Sequence, residues 1–504
     1  MSDKLTEKQK KTNKTVIATA LVLLTVILST FLVGYIKSNK EKEQIELLTA
    51  IRSYKMAKDY VYKKDYNKAI EMFKEALTAY PDDPNFLADL GLTYKLQGNY
   101  TESEKYLNKA LDLKPNEFNA YIVLADIKNK NENYNDTIKL LDKAMKIDKN
   151  HNNIKIAYNY YGYALMEKGQ IDEAEKFLRK SLDLAPDYLE ARNNLGLLYL
   201  KKQKFNEAMN HFNSSSELSK NNPDTQYYIA LTFYKMKKYK EAISKLERIL
   251  HMTPNYYNSY FLMGCVYAKQ NSVNKSINSF NKMIQVEDHH LGEKEYVKNL
   301  NESLAILNEL KTNNSSRLEI YDLIASIYVK LNNVDKALDI YHAALKADLN
   351  FPEVHNNMAV LYLEKKDEKK AMEHYEKALG KKPKDAIIQY GMANLFKKQK
   401  NYDKAIKGFK KTLEIDPKFS LAEVNLGEIY KAKDDFENSF IHYRKALEIN
   451  PSEAYAYLGI GDLYYKKDLK EDAIWNYKQF IKYAKDTPKK QQIYDLIENL
   501  SSQL

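Results

Sequence analysis

The sequence predicts an all-α protein of about twelve pairs of short helices, preceded by one long apolar helix. Three observations predict this fold class. Only 11 Pro and 14 Gly occur among 504 residues, too few for a sheet protein that needs many tight turns. Small residues recur with a period of 34 along most of the chain. Near the amino terminus, 22 consecutive residues carry no charge.

The uncharged stretch covers residues 15–36 and follows a short basic tail over 1–14. As a helix it would be about 33 Å long, which matches the hydrocarbon core of a bilayer. Its apolar core is longer than that of a cleaved signal peptide, and no small-x-small cleavage motif follows it before Lys37. We therefore expect an uncleaved transmembrane signal anchor, with residues 37–49 as a linker.

The lysines around this stretch predict its orientation. More Lys residues precede it than follow it closely, which favours a cytosolic amino terminus. The expectation is a single-pass membrane protein, in a bacterium one of the inner membrane, with the repeats outside the cytoplasm.

The periodic small residues fall in three runs, and within each run every step is 34 residues. They are Ala57, Gly91 and Ala125; then Gly162, Gly196, Ala230 and Gly264; then Ala325, Ala359, Ala393, Gly427 and Gly461. In the second half of each unit, small and large residues share one helical stripe, as at Ala69, Phe73 and Ala76. No unit has enough apolar surface to fold alone, so neighbouring units must stack. The units start near Ala50, Pro84, Phe118, Lys155, Leu189, Pro223, Tyr257, Leu318, Pro352, Ala386, Ser420 and Ala454.

Interruptions divide this array into two blocks. Residues 50–290 hold seven units, and residues 318–487 hold five. Between the blocks, residues 291–317 have apolar side chains at helical spacing but no partner helix of the repeat type, which predicts a degenerate or unpaired helix. Residues 488–504 have one apolar face opposite a polar one, as the helix that caps a stacked array requires.

The pattern resembles the tetratricopeptide repeat family. In that family the eighth residue of a 34-residue unit is Gly or Ala, the twentieth and twenty-seventh are Ala, and the thirty-second is Pro. Full matches are Ala57, Ala69, Ala76 and Pro81, and Ala359, Ala371, Ala378 and Pro383. The resemblance implies antiparallel helix pairs stacked into a right-handed superhelix, an α-solenoid, whose first helices line a concave groove.

The sequence contains no motif for catalysis, for a cofactor or for a metal: it lacks a Gly-rich phosphate loop, His-Glu-x-x-His and Gly-x-Ser-x-Gly. We therefore expect no enzyme, no cofactor and no metal. The neighbours His289 and His290 would point about 100° apart on a helix, and we interpret them as part of a solvated junction. The single Trp, Trp475, is expected to pack beneath the capping helix.

The net charge of +11 does not predict a nucleic-acid partner. The basic residues are mostly Lys, mixed with Asp and Glu, whereas nucleic-acid-binding proteins use Arg forks and cluster their charge on one face.

The concave groove is the surface on which protein or peptide partners are expected. The resemblance implies that the residue two before the small eighth residue faces the groove, where an Asn can hold a peptide's backbone amide. Asn194, Asn357 and Asn425 occupy that position. The groove-side apolar and aromatic residues Tyr54, Phe261, Tyr390 and Leu458 fit a peptide or a helix.

The expected function is a membrane-anchored scaffold that binds protein partners by multivalent docking. Similar anchored repeat proteins imply that it organises an envelope assembly, secretion or export complex. Two alternatives stay open. A receptor for precursor or unfolded proteins requires the repeats to face the cytosol, and a structural homo-oligomer requires the convex face or the block ends to self-associate.

Overall fold

The structure, a computed structural model, describes residues 44–286, 293–485 and 488–502. Within these ranges every regular element is a helix, and no strand occurs. The predicted all-α fold class is confirmed. The chain divides into two compact units. The first unit contains the described residues up to Ser259 together with 293–296, and the second contains the others.

The helices up to Met252 all lie in the first unit. They are α1 over residues 44–62, α2 Tyr66–Ala79, α3 Pro84–Gln97, α4 Tyr100–Leu113, α5 Phe118–Lys130, α6 Tyr134–Ile147, α7 Ile154–Glu167, α8 Ile171–Leu184, α9 Leu189–Lys201, α10 Phe205–Leu218, α11 Pro223–Lys235 and α12 Tyr239–Met252. The later helices are α13 Tyr257–Lys269, α14 Val273–Gln285, α15 Glu293–Asn313, α16 Leu318–Lys330, α17 Val334–Lys346, α18 Pro352–Glu364, α19 Glu368–Lys381, α20 Ala386–Lys398, α21 Tyr402–Ile415, α22 Ser420–Ala432, α23 Phe436–Ile449, α24 Ala454–Lys466, α25 Lys470–Tyr483 and α26 Pro488–Ser501.

Helices begin at most of the residues that the period marks as unit starts. There are two exceptions: Ala50 lies inside α1, and α7 begins at Ile154, one residue before Lys155. Pro84 and Pro352 stand at first helical positions, where their missing N–H removes no hydrogen bond. The 34-residue period therefore corresponds to pairs of helices.

The turn inside each pair has a recurring chemistry. The backbone turns through a residue with positive φ, such as Lys64 at 61° and Asp434 at 57°. In several pairs the next residue caps the second helix: the side chains of Asp65 and Asp435 each accept a hydrogen bond from a backbone N–H in the first turn. This turn reverses the chain and sets the second helix beside the first.

Large side chains of the second helix sit on small residues of the first. A Cβ added at Gly196 would lie 2.5 Å from Cε1 of Phe212, and one at Gly427 would lie 2.8 Å from Cδ1 of Tyr443. Any side chain there would therefore collide with a ring that is fully buried. The periodic small residues are needed because the two helices of a pair approach closely.

Tyr443 also reaches the next pair. Its ring lies against Gly459 of α24, where an added Cβ would be 2.5 Å from Cε1. Tyr375 makes the corresponding contact with Gly391 of α20, where the distance to Cε1 would be 2.8 Å. One ring thus joins both helices of its own pair to the first helix of the following pair.

From Val297 onward, helix α15 belongs to the second unit, where it is an additional helix. Leu300 and Leu307 are fully buried, and the Ser303 hydroxyl lies 3.8 Å from Sδ of Met283 in α14. The turn into α16 resembles the turns between repeats, since the Tyr321 hydroxyl donates to the carbonyl of Ser315 as that of Tyr457 does to Pro451. The boundaries predicted for this segment and for the two blocks stay a prediction.

The carboxyl-terminal helix α26 covers the end of the array. It buries Ile493, Ile497 and Leu500 in a cluster with Phe480. The expectation for Trp475 is wrong, because this side chain is 56% exposed. Its ring meets Tyr457 edge-on, with 6.1 Å between ring centroids, on the outside of the last pair.

The predicted membrane localisation is corrected. Among the described helices none is both long and apolar enough to cross a bilayer. The longest, α15, has 21 residues and carries charged side chains along its length. The anchor expected at residues 15–36 lies outside the described residues. The prediction of a single-pass inner-membrane protein with extracytoplasmic repeats is therefore withdrawn.

Two histidines form a buried pair inside one repeat. Nδ1 of His355 lies 3.1 Å from Nδ1 of His374, and Nε2 of His355 lies 2.9 Å from Oδ1 of Asn350. Since the Asn oxygen only accepts, His355 is protonated on Nε2 and its Nδ1 accepts from His374. Burial, and after it the neighbouring His355 and Lys377, lowers the pKa of His374 to about 4. Burial also lowers the pKa of His355.

The histidine pair predicts a loss of stability in mild acid. Each folded-state pKa lies below the unfolded value of about 6.5, so protons bind preferentially to the unfolded chain. The contribution of the neutral histidine pair to the free energy of unfolding is complete above pH 6.5 and is lost as the pH falls toward 4. Urea unfolding at pH 7.5 and 5.0 should show a decrease on the order of 2 kcal/mol in the free energy of unfolding. His374→Tyr should reduce that decrease, and an equal decrease in the variant would contradict the assignment.

The close contact between Gly459 and the Tyr443 ring predicts that alanine destabilises the protein at this glycine but not at an unhindered one. Gly459→Ala should lower the free energy of unfolding by about 1–3 kcal/mol, because its Cβ overlaps the Tyr443 ring. Gly380→Ala, the control, lies in α19 with no atom near the added Cβ, and should raise it by about 0.5–1 kcal/mol through helix propensity. Chemical denaturation of both variants measures the difference, and equal effects would exclude the close approach.

Candidate functional site

The first helices of neighbouring repeats contact one another within each unit. In the first unit α3 touches α5, α5 touches α7, and α7 touches α9; in the second, α18, α20, α22 and α24 follow the same order. Together the first helices form one surface in each unit, which we call the inner face. The resemblance to the repeat family predicts that protein partners bind on this surface.

A series of hydrogen bonds crosses the inner face between consecutive repeats. Each joins two residues that are 35 apart in sequence. The Tyr54 hydroxyl donates to Asp89 at 2.5 Å, Nδ2 of Asn194 to Asn159 at 2.8 Å, Nδ2 of Asn357 to Asp322 at 3.1 Å, and Nδ2 of Asn425 to the Tyr390 hydroxyl at 2.9 Å. Five of the seven candidate residues, Tyr54, Tyr390 and the three Asn, belong to this series.

These bonds give the three Asn side chains a role within the array. Asn425 is only 7% exposed, and it also accepts a hydrogen bond from Lys397. Asn357 makes a second bond to the hydroxyl of Tyr341, at 3.1 Å. Because their amide donors already bind neighbouring repeats, an incoming peptide would have to compete for them. Contact between these Asn and a partner stays a prediction.

The other two candidate residues are packed among apolar side chains. Phe261 is 7% exposed, and its ring centroid lies 6.4 Å from that of Phe280. Leu458 is half-buried and packs on the cluster that contains Tyr477 and Phe480. As apolar side chains, both contribute packing contacts and neither belongs to the series of inter-repeat hydrogen bonds.

Ion pairs also join successive first helices, and the sequence reasoning missed them. Nζ of Lys95 lies 2.5 Å from Asp126, that of Lys397 lies 2.6 Å from Glu428, and that of Lys431 lies 2.8 Å from Asp462. Each pair joins the twelfth residue of one unit to the ninth of the next. That fixed spacing of 31 was visible in the sequence, but only a known helix arrangement shows that the two positions meet.

An open pocket of about 350 Å³ lies on the inner face of α1, α3 and α5. Its wall includes Tyr54, whose ring stacks on Phe86 with 4.6 Å between centroids. Burial, and after it the bond to Asp89, raises the pKa of Tyr54, so its hydroxyl stays protonated at neutral pH. Asn85 and Asn119 line the pocket with exposed carboxamides. The pocket therefore offers an aromatic surface beside hydrogen-bond donors and acceptors.

Metal ligation has no candidate in the ranges that the structure describes. There, no group of three His, Cys, Asp or Glu side chains is arranged to hold an ion. His289 and His290 lie outside those ranges.

Family models match the chain over most of the repeat region. Models described as tetratricopeptide repeat match residues 54–118, 323–386 and 386–419, and one described as TPR repeat matches 427–468. The chain belongs to the tetratricopeptide repeat family. A further model, the carboxyl-terminal ARM domain of tetratricopeptide repeat protein 21, matches residues 160–259 of this tetratricopeptide repeat protein. No curated protein matches the sequence.

Several solved structures are similar to this tetratricopeptide repeat protein. The crystal structure of yeast Tom70 covers 90% of this chain and 96% of its own, with 16% identity and a TM-score of 0.39. A tetratricopeptide repeat protein from Parabacteroides merdae covers 51% and 99%, with 17% identity and a TM-score of 0.43. The APC/C hetero-tetramer Cut9-Hcn1 covers 88% and 95%, with 13% identity and a TM-score of 0.36.

The inter-repeat bonds of Asn425 predict a cost in stability when its amide is removed. Asn425→Ala should lower the free energy of unfolding by about 1–3 kcal/mol, because the partly buried Lys397 and Tyr390 lose their hydrogen bonds to it. Asn278→Ala is the control, since Asn278 is exposed on α14, and it should change the value by less than about 0.5 kcal/mol. Urea denaturation followed by circular dichroism compares them. A loss no larger than that of the control would mean that the Asn425 bonds do not stabilise the array.

Proposed function

We propose that this protein is a non-enzymatic scaffold that binds protein partners on the inner face of its repeats. The observation that carries the proposal is the open pocket across α1, α3 and α5. Ligand-binding surfaces combine apolar area with a few polar groups that fix orientation. The stacked rings of Tyr54 and Phe86 supply the first, and Asn85 and Asn119 supply the second.

A peptide segment is the partner that this pocket fits best. The exposed amide of Asn85 offers a donor and an acceptor, which is what a peptide backbone requires. Asn119 offers its Nδ2 donors, while its Oδ1 accepts a hydrogen bond from Nδ2 of Asn153 at 2.8 Å. Asp89 and Lys58 bring charges of both signs to the same wall, 3.6 Å apart. Glu117 adds a second carboxylate to the wall, and a wall with one lysine and two carboxylates does not favour the polyanionic backbone of a nucleic acid.

The proposed mechanism is docking at several places along the array. First helices with polar and aromatic side chains recur in every repeat, so one partner can touch successive repeats or several partners can bind side by side. Simultaneous contacts raise the effective concentration of the bound proteins and strengthen weak individual sites. The proposed role is to organise a multi-protein complex.

Self-association through surfaces other than the inner face is the competing proposal. Sedimentation of the full chain over a range of concentrations separates the two. A monomer that still binds peptides favours the scaffold, whereas stable homo-oligomers without peptide binding favour a structural role.

Peptide selection tests the proposed pocket directly. Peptides are selected on the full chain from a random display library. Their Kd for the double variant Asn85→Ala/Asn119→Ala should be at least about tenfold higher than for the wild type, which corresponds to a loss of about 1.4 kcal/mol in binding free energy. Asn108→Ala is the matched control, because Asn108 is an exposed amide on the second helix α4 and should leave the Kd within about twofold. Fluorescence anisotropy measures each Kd. Selected peptides that bind the double variant as well as the wild type would overturn the proposal.

A further inference from the structure

The amino-terminal turn of α15 lies against helices that are distant from it in sequence. Nζ of Lys294 donates to the backbone carbonyl of Asn131, 163 residues earlier, at 2.8 Å. The ring of Tyr296 lies 5.5 Å from that of Tyr257, measured between centroids. Asn131 caps the carboxyl end of α5 and Tyr257 begins α13, so residues 294–296 contact two residues of the first unit that belong to different repeats.

Between these two anchors, the exposed Glu295 side chain lies near enough to a group of phenols for its charge to act on them. We call Tyr134, Tyr163, Tyr228 and Tyr257 the tyrosine cluster. Burial raises the pKa of all four, and the negative charge of Glu295 adds to the increase at each. For Tyr134, burial followed by the carboxylates of Glu167, Glu132 and Glu295 raises the pKa to about 12. Rings of the cluster also touch each other, since Tyr134 meets Tyr163 edge-on at 6.3 Å.

Protonated phenols are suited to a carboxylate. Each O–H is a donor, and the raised pKa values keep these donors intact at neutral pH. Hydrogen bonds from neutral donors to a charged acceptor are stronger than those between neutral groups. The aromatic rings add a flat apolar surface for a neighbouring ring, as Tyr296 already shows against Tyr257.

We propose that residues 294–296 act as an internal ligand of the tyrosine cluster, and that the external partner recognised there is a peptide with the same chemistry: a carboxylate flanked by a basic and an aromatic side chain. This inference rests on the proposed scaffold function and specifies one partner class for it. It also assigns a control step, because a partner must displace the chain's own segment before it binds.

The covalent link makes this competition uneven. A tethered segment experiences an effective concentration in the millimolar range, so an external peptide of equal intrinsic affinity binds more weakly than it would to an empty cluster. Removing the internal contacts should therefore increase the affinity for such a peptide. Damage to the binding surface itself would decrease it.

A labelled peptide with the sequence of residues 293–301, EKEYVKNLN, serves as the probe. Fluorescence anisotropy with the full chain should give a Kd at least about tenfold lower for the variant Lys294→Ala/Glu295→Gln/Tyr296→Ala than for the wild type, because the tethered competitor is gone. The single variant Glu295→Gln, at an exposed side chain, should shift the Kd in the same direction with the fold intact. A probe with Gln at its second Glu, the position of Glu295, should show most of this decrease in Kd removed.

The control variant changes a lysine and a glutamate that lie further along α15. Lys298→Ala/Glu302→Gln alters exposed side chains and should leave the Kd at the wild-type value. Adding Tyr228→Phe to the triple variant should raise the Kd of the probe again, because it removes one phenol donor from the tyrosine cluster. Circular dichroism of each variant checks that the helices remain.

The possible outcomes separate this inference from the scaffold proposal. If the triple variant binds the probe no better than the wild type while library-selected peptides still bind at Asn85 and Asn119, the internal-ligand inference fails and the scaffold proposal stands. If library-selected peptides also fail to bind, both fail. Equal gains from the triple variant and the control variant would overturn the assignment of the contact to residues 294–296.

Discussion

The contact on which the array depends is that of a large side chain seated on a glycine or alanine of the preceding helix. An added Cβ at Gly196, Gly427 or Gly461 would overlap the facing ring, so the distance between paired helices is set by the absence of a side chain. Tyr443 extends the same contact to Gly459 of the next repeat. Pairing within a repeat and stacking between repeats are thus parts of one packing arrangement, and neither helix of a pair is stable without it.

This packing also determines which residues are available for binding. At three positions, the residue two before the small one meets a ring on the second helix of the preceding repeat. Gly391 and Gly459 leave room for Tyr375 and Tyr443, whereas Asn357 binds the hydroxyl of Tyr341. The Asn side chains on the inner face therefore connect repeats before any partner arrives. Exposed residues that lie beside this row, such as Asn85, are better placed to meet a partner.

The sequence predicted the helix pairs well because their signal is repeated and local. Each small residue is a packing requirement, so a period of 34 locates α18 at Pro352 and α24 at Ala454 without any knowledge of tertiary structure. Trp475 and Phe261 were harder, because a helical pattern shows which residues share a face but not what that face meets. Trp475 proved exposed and Phe261 buried. The Lys294 contact with Asn131 has no local signal, since 163 residues separate its partners.

The two proposals give the first unit two sites that differ in accessibility. The pocket at Tyr54 and Phe86 is open, whereas Lys294 and Tyr296 already lie against Asn131 and Tyr257 beside the tyrosine cluster. A partner that presents only backbone amides can occupy the first site at once, but a partner that needs the second must exceed the affinity of a tethered competitor. The same surface can thus bind one class of segment constitutively and admit another only when its concentration or its number of contacts is high. Selectivity of this kind arises from the position of three residues in the chain and requires no change in the repeats themselves.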